Sequence, residues 1–432
     1  MKRLFSEYVP GFLLLTILGL IVLHAPMTVV VATHLPDIAV GFKAWKEVLM
    51  ALAAVCIAVE VTRRGIWRVF AADKLFWLLV AYIVLHVVTV VVAPLETQAE
   101  MAGLGIDLRY IVYFCLVYSF LKLNPQYYRS FVAVGIVGAG IVMGFALMQQ
   151  VLPRDTLKHL GYDKYTTIAP YMTVDQNPDY IRINSTLRGP NPLGAYAVMV
   201  LAGAVAFALC RGKVALKTTN RKLLYGLLLI GGMVALWTSY SRSALVAGVV
   251  AVGVVLVTYF RRYMTARVWV GIGVGLVLVA GLVFASRETA FVRNVIFHDS
   301  PTSGAEIGSN QEHFMSLEYG IERMVSQPVG TGVGSTGSAS LFGDNGLIIE
   351  NQYLMIAHEA GWLGLVLFLV IYMTVLRRLW ALRRDWLVSA MFASGVGLAL
   401  IGLLLPVWVD DTVSIIWWGL TAVVLAKNSL RN

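Results

Sequence analysis

Long apolar runs recur from one end of this chain to the other, separated mostly by short polar segments. Twelve runs are predicted transmembrane helices, because each approaches the roughly 20 apolar residues that cross a bilayer. Their approximate bounds are 9–25, 43–62, 75–93, 105–121, 130–151, 191–210, 223–239, 243–260, 268–285, 352–376, 386–406 and 413–427. The predicted fold class is therefore all-α, a polytopic integral membrane protein. No polar linker of domain size interrupts the runs, so we expect one membrane domain over residues 1–432.

Two polar segments are much longer than the rest, residues 152–190 and 286–349. In the second, apolar residues recur at near-helical spacing from His313 to Val325, which predicts an amphipathic helix along the membrane surface. The glycine-rich turn, residues 328–337, comes next. Our main interpretation is a tightly packed turn, and the alternative is a backbone nest for a phosphate.

The charges give this pattern an orientation. Most of the 34 Lys and Arg, including Lys2 and Arg3, lie in the termini and the alternate short loops. The positive-inside rule then predicts that both termini are cytoplasmic and that both long loops lie outside. The formal net charge of +10 is thus a topology signal, and we expect membrane lipid and not nucleic acid as a partner.

The first polar constellation closes the first long loop. Arg182 and Arg188 precede Pro190, Asn191 and Pro192, where a span begins. Asn191 is expected to cap this helix, and two arginines beside a helix N-terminus favour an anion site. Arginines that snorkel at the membrane edge are the alternative.

Other charged residues lie at the ends of spans. Arg242 sits in a turn too short to be freely solvated, so it needs an anionic partner, either a ligand or a structural ion pair. Asp107 and Arg109 are two apart, so each is expected to pair with another span. Asp410 and Asp411 are predicted to form a solvated turn.

The most polar membrane boundary is the stretch from Glu350 to Gly364. Glu350 stands at the start of a span, where a carboxylate also suits a helix N-terminus. Asn351 and His358 share one helical stripe. Gly361 and Gly364 are expected to allow another helix to approach closely.

These segments, in this order, resemble the O-antigen ligase and polymerase superfamily of bacterial membrane glycosyltransferases. The matching features are Arg188-Gly189-Pro190-Asn191, Ser241-Arg242, Pro328…Gly332-Val333-Gly334, and Asn351-x-Tyr353-Leu354…Glu359-x-Gly361-x-x-Gly364. The resemblance implies a GT-C-like fold in the bacterial inner membrane. It also implies metal-independent, cofactor-free transfer of an undecaprenyl-diphosphate-linked glycan, at the outer face, onto lipid A-core or a growing glycan.

With that chemistry, charge and position suggest roles for the polar residues. Arg188 and Arg242, with Arg182 in support, are the candidates for binding the donor diphosphate. Glu350 is the candidate catalytic base, and His358 is the fallback. The supporting candidates are Asn191, Asn351, Tyr353, Arg109 and His313.

One residue bears on the type of transferase. The ligase signature of the superfamily has a His where this chain has Glu350, followed by Asn351 and, after nine residues, Gly361-x-x-Gly364. An O-antigen ligase-like transferase is the main hypothesis. A repeat-unit polymerase of O-antigen or capsule is the alternative within the superfamily, and a lipid-linked-sugar transporter or flippase is the alternative of a different class.

Overall fold

The structure is a computed structural model that describes residues 7–297, 309–343 and 346–429. Lys2 and Arg3, which enter the orientation prediction, lie outside these residues, as does part of the second long loop. The predicted all-α class is confirmed.

Sixteen α-helices make up most of the described chain, and several are short. They are α1 (Val9–Leu20), α2 (His24–His34), α3 (Pro36–Lys43), α4 (Trp45–Arg64), α5 (Trp67–Ala71), α6 (Lys74–Val92), α7 (Thr97–Leu123), α8 (Tyr128–Met148), α9 (Pro190–Ala215), α10 (Thr219–Thr238), α11 (Arg242–Phe260), α12 (Ala266–Ala285), α13 (Ser309–Ser326), α14 (Gln352–Ala381), α15 (Trp386–Ile401) and α16 (Asp411–Ser429).

Helices cover all twelve predicted spans. Within the described ranges, nine are long and apolar enough to cross a membrane by length and composition, the first being α1 and α2 taken together. The helices α4, α15 and α16 complete the twelve predicted segments but are not among those nine. Multiple membrane crossing is therefore established, while the number twelve and the orientation of the termini stay predictions.

The two long loops carry structure of their own. In the first, strands β1 (Met172–Val174) and β2 (Asn177–Arg182) form an antiparallel hairpin that ends at Arg182. In the second, the predicted helix is present as α13. Its apolar side chains include Phe314 and Val325, which are 66% and 62% exposed, as expected for a helix with one face free to meet lipid. We refer to the end of the bundle that carries these loops as the long-loop end.

The core lies between α7, α9, α11, α14, α15 and α16. Its largest buried side chains include Trp408, Trp417 and Trp418, whose rings lie 5.1 to 5.8 Å apart, with Tyr372 packed against all three. Aromatic contacts of this kind fix side chains more firmly than aliphatic packing alone. Trp408 therefore anchors the connection between α15 and α16, residues 402–410, at the long-loop end.

Helix α14 is interrupted at Gly361, where φ is +68° and the backbone is not helical. The glycine-rich turn fills the break: the N–H groups of Thr331 and Gly332 donate to the carbonyls of His358 and Glu359 at 2.8 and 3.2 Å. These carbonyls lose their helical partners at the break, and an unpaired carbonyl in a membrane costs several kcal/mol. The expected close approach at Gly361 is thus made by a loop and not by another helix, which corrects the sequence prediction.

Candidate functional site

Arg182 joins three separate segments at the long-loop end. Its Nε donates to the carbonyl of Ser239 at 2.8 Å, and its Nη2 donates to Oδ1 of Asn191 at 2.6 Å. Burial lowers the pKa of Arg182 to about 10; the Asp175 carboxylate opposes this effect and the charge of Arg242 adds to it. The guanidinium is still protonated at neutral pH, and it holds its charge in a desolvated position.

Arg242 is the first residue of α11, and its Nη1 donates to the carbonyl of Ile296 at 3.3 Å. A cation there is opposed by the helix dipole, because the N-terminus of a helix carries partial positive charge. Its guanidinium interacts electrostatically with that of Arg182. The fold therefore concentrates positive charge at this end, as the sequence predicted for Arg182 and Arg242.

Arg188 lines a cavity of about 240 Å³ beside the start of α9. Gly189, Pro190 and Asn191 form one wall of this cavity, and residues 405–407 with Val409 and Asp410 form another. Arg188 is exposed, and within the described parts of the chain its guanidinium has no hydrogen bond or ion pair. The cavity thus presents a cation that is available to a ligand. We call Arg182, Arg188 and Arg242 the arginine cluster.

Asn191 does not cap α9, contrary to the sequence prediction. The N-cap residue is Gly189, which has no side chain that could cap the helix. The Oδ1 atom of Asn191 instead accepts a hydrogen bond from Arg182. Pro190 and Pro192 remove two amide donors from the first turn. The helix start therefore offers few free backbone N–H groups to an anion, and the positive charge beside it comes from the arginines.

The connection 402–410 joins the cavity to the start of α14. Nδ2 of Asn351 donates to the carbonyl of Leu403 at 2.7 Å, and the N–H of Gln352 donates to the carbonyl of Gly402 at 2.9 Å. Oε1 of Gln352 accepts from the N–H of Trp408 at 2.8 Å. One wall of the Arg188 cavity is thus fastened directly to the residues that follow Glu350.

Asn351 and Tyr353 hold this junction in place. Asn351 is the N-cap of α14, where its Oδ1 accepts from the N–H groups of Tyr353 and Leu354 at 2.9 and 3.0 Å. The Tyr353 hydroxyl donates to the carbonyl of Ala399 at 2.9 Å and so ties α14 to α15. Both residues support the site through backbone contacts.

Glu350 faces His313, which α13 contributes. Oε2 of Glu350 lies 2.6 Å from Nδ1 of His313, and their side chains are 35% and 32% exposed. The N–H of Glu350 donates to Oγ of Ser316, one helical turn further along α13, at 2.9 Å. The structure therefore pairs a proposed base with a residue that the sequence marked only as supporting.

His358 and Glu359 lie in a different, buried environment. Nε2 of His358 is 2.9 Å from Oγ1 of Thr331. Oε1 of Glu359 accepts from the N–H groups of Gly334 and Thr336 at 3.2 and 3.3 Å. The nest that the glycine-rich turn offers is therefore occupied by a carboxylate of the chain itself, which overturns the alternative of a phosphate nest.

Arg109 belongs to a second charged group, the ion cluster, which also contains His24, Lys46, Glu47 and Asp411. Arg109 pairs with Asp411 and lies 4.0 Å from Glu47. Asp411 also lies 2.9 Å from His24 and 3.6 Å from Lys46. The prediction that Asp411 is in a solvated turn is wrong, because the polar partners that surround it come from three other helices.

Two features of the site escaped sequence reasoning. Asp410 shares the cavity with Arg188, and Asp107 lies beside Glu359 although 252 positions separate them in sequence. Neither pairing can be predicted from the neighbouring sequence, because each depends on which helices pack against each other. An acidic pair in an otherwise apolar segment was the only clue to Asp410 and Asp411.

Residues 224–369 match the family model described as O-antigen ligase. This match supports the O-antigen ligase and polymerase superfamily as the family of the chain. It also supports glycosyltransferase activity of the ligase or polymerase type. The search of curated proteins gave no match. The matched segment contains Arg242, His313 and Glu350, whereas Arg182 and Arg188 precede it.

Proposed function

We propose that this protein transfers a glycan from undecaprenyl diphosphate to an acceptor hydroxyl at the outer face of the bacterial inner membrane, as an O-antigen ligase-like enzyme. The observation that carries this proposal is the cavity lined by Arg188. Arg182 binds Asn191 in one of its walls, and another wall is fastened to the start of α14. Diphosphate is the group in such a donor that needs fixed cations.

The chemistry follows from where charge develops. The acceptor oxygen forms a bond to the anomeric carbon as the bond from that carbon to the phosphate oxygen breaks. The diphosphate leaves with the electron pair, and fixed cations that face this developing charge lower the barrier. Arg188 and Arg242 are proposed to bind the diphosphate directly, while Arg182 sets the position of Asn191 and supports the local positive charge.

The acceptor hydroxyl must lose a proton during this step. Glu350 and His313 are the proposed acid-base pair, because both are accessible and lie against each other at the long-loop end. His358 is the weaker candidate, since it is 2% exposed and bound to Thr331. Arg109, Asn351 and Tyr353 are proposed to hold the connection 402–410 and α14 in position.

Transfer by the purified protein in lipid vesicles tests the proposal. The donor is an undecaprenyl-diphosphate-linked glycan, and lipid A-core and a second donor glycan are supplied as acceptors in separate reactions. We expect a new glycosidic bond and release of undecaprenyl diphosphate, detected by mass spectrometry. Transfer onto lipid A-core indicates a ligase, and chain extension on the lipid carrier indicates a polymerase.

The alternative of a different class is tested in the same vesicles. A transporter or flippase moves the lipid-linked glycan across the bilayer without forming a bond. Donor translocation with no glycosidic product in either reaction would contradict the enzyme proposal. The arginine cluster favours the enzyme, because it gathers charge at one end of the bundle and not along a path through it.

A further inference from the structure

We propose that His313 is the proton acceptor and that Glu350 is its positioning residue. This inference rests on the proposed transferase function and assigns the acid-base work within it. The reacting atom would be Nε2 of His313, because Nδ1 faces Oε2 of Glu350 at 2.6 Å. An imidazole whose Nδ1–H faces a carboxylate keeps its lone pair on Nε2, where it can accept a proton.

The two side chains are close, but they do not form an aligned hydrogen bond. Nδ1 of His313 lies within hydrogen-bond distance of the carboxylate, but the angle does not fit a hydrogen bond. Catalytic hydrogen bonds are often poorly aligned before substrate binds and tighten in the complex. The two atoms are already within hydrogen-bond distance, so the contact lacks only alignment.

Accessibility separates His313 from the other histidine near α14. The side chain of His313 is 32% exposed, which leaves room for a sugar hydroxyl. His358 is 2% exposed, and its Nε2 is engaged by Thr331. A general base must come within hydrogen-bond reach of the proton that it removes. Only the first of these two histidines meets that condition.

Helix α13 is held against α14 at two points, so His313 is positioned by more than one contact. Oγ of Ser316 accepts from the N–H of Glu350, and Nε1 of Trp362 donates to the carbonyl of Met324 at 2.6 Å. His313 and Ser316 are three residues apart and therefore share one face of α13. That face meets the start of α14, where the connection 402–410 leads to the Arg188 cavity.

The proton of the acceptor hydroxyl passes to Nε2 of His313 as the new carbon–oxygen bond forms, and the imidazolium is stabilised by Glu350. The donor diphosphate leaves with its electron pair and remains with the arginine cluster. The imidazolium then releases its proton to water, which its exposure permits.

Chemical rescue provides the test. His313→Ala is expected to lower the turnover rate by about 100-fold or more, the usual contribution of a general base. Added imidazole is expected to restore much of that loss, and binding of the donor lipid is expected to be unchanged. His313→Asn keeps a polar side chain but no base, so it should be as slow as His313→Ala. His159→Ala, at an exposed histidine of the first long loop, is the control.

The Glu350 variants separate the two roles. Glu350→Ala and Glu350→Gln are expected to slow transfer less than His313→Ala, and imidazole should not rescue them, because the ring is still present. Glu350→Asp should recover part of the rate. Glu318→Gln, at an exposed carboxylate of α13, is the control.

Three results would overturn the inference while leaving the transferase proposal intact: wild-type turnover in His313→Ala, full activity in His313→Asn, or a larger loss in Glu350→Ala than in His313→Ala. Failure of the wild-type protein to transfer any glycan would instead overturn the transferase proposal itself. Comparable thermal unfolding of all variants shows that each rate reflects the site and not the fold.

Discussion

The ion cluster and the arginine cluster are both charged groups at the long-loop end, yet they are built differently. In the ion cluster, Lys46 and Arg109 are matched by Glu47 and Asp411, and the two cations are almost fully buried. In the arginine cluster, the Asp175 carboxylate interacts with Arg182 and Arg242, and Asp410 shares a cavity with Arg188. Arg188 is also exposed in a cavity.

This difference shows how charge balance separates support from binding. A buried, balanced group has satisfied its own charges and has none left for a ligand. Arg188, which is exposed in its cavity and has no protein partner among the described residues, keeps its charge available for an anion. The two clusters also touch, because Nη2 of Arg109 donates to the carbonyl of Val409, in the wall of the Arg188 cavity. The ion cluster thus holds part of the site that the arginine cluster is proposed to use.

The largest expected effect comes from a substitution that breaks the ion cluster. Arg109→Ala removes one of the cations that face Asp411, whose side chain is only 14% exposed, so we expect a loss of at most about 3–5 kcal/mol in the free energy of unfolding. Thermal or denaturant unfolding in detergent measures it. Arg129→Ala, at an exposed arginine, is the control. The double variant Arg109→Gln with Asp411→Asn should recover part of the loss, because Lys46 and Glu47 still pair. No recovery in the double variant would contradict the balanced-charge explanation.

The second largest effect is expected when a cation is removed from the arginine cluster. Arg188→Ala is expected to reduce transfer by about 100-fold, comparable with the loss of one oxyanion-stabilising donor. Stability should hardly change, because the side chain is exposed and without a protein partner in the described chain. Donor turnover and thermal unfolding are measured together, with Arg154→Ala as the matched control on the same loop. A large stability loss with normal turnover would reverse the assignment of the two clusters.

The smallest effect is expected from a substitution that changes the charge of the cavity without removing an arginine. Asp410→Asn removes one negative charge beside Arg188 and keeps the side-chain oxygen that accepts from the N–H groups of Thr412 and Val413. We expect donor affinity to rise by about two- to fivefold, the range of a partly solvated charge interaction. Equilibrium binding of the donor lipid at two salt concentrations checks this. Weaker binding would mean that Asp410 contacts the ligand itself.

Much of this protein can be predicted from local pattern. Span-length apolar runs determined the all-α membrane class, because backbone groups in lipid must be satisfied within helices. The near-helical spacing from His313 to Val325 gave α13, and the order of the polar segments gave the superfamily. Arg182 and Arg242 were candidates for a site because they are charged residues at the membrane boundary, where a charge is costly. In the fold they lie close to each other.

Only the tertiary structure decided how the polar residues are used. Glu350, His358 and Glu359 lie within ten residues of one another, but the break at Gly361 and the glycine-rich turn bury the last two and leave the first accessible. The pairing of Glu350 with His313, and of Asp411 with Arg109, joins residues far apart in sequence. The pattern of polar and apolar residues along the sequence indicates how costly a charge is at its position. Which partner offsets that cost depends on which helices become neighbours, and helix packing alone determines that.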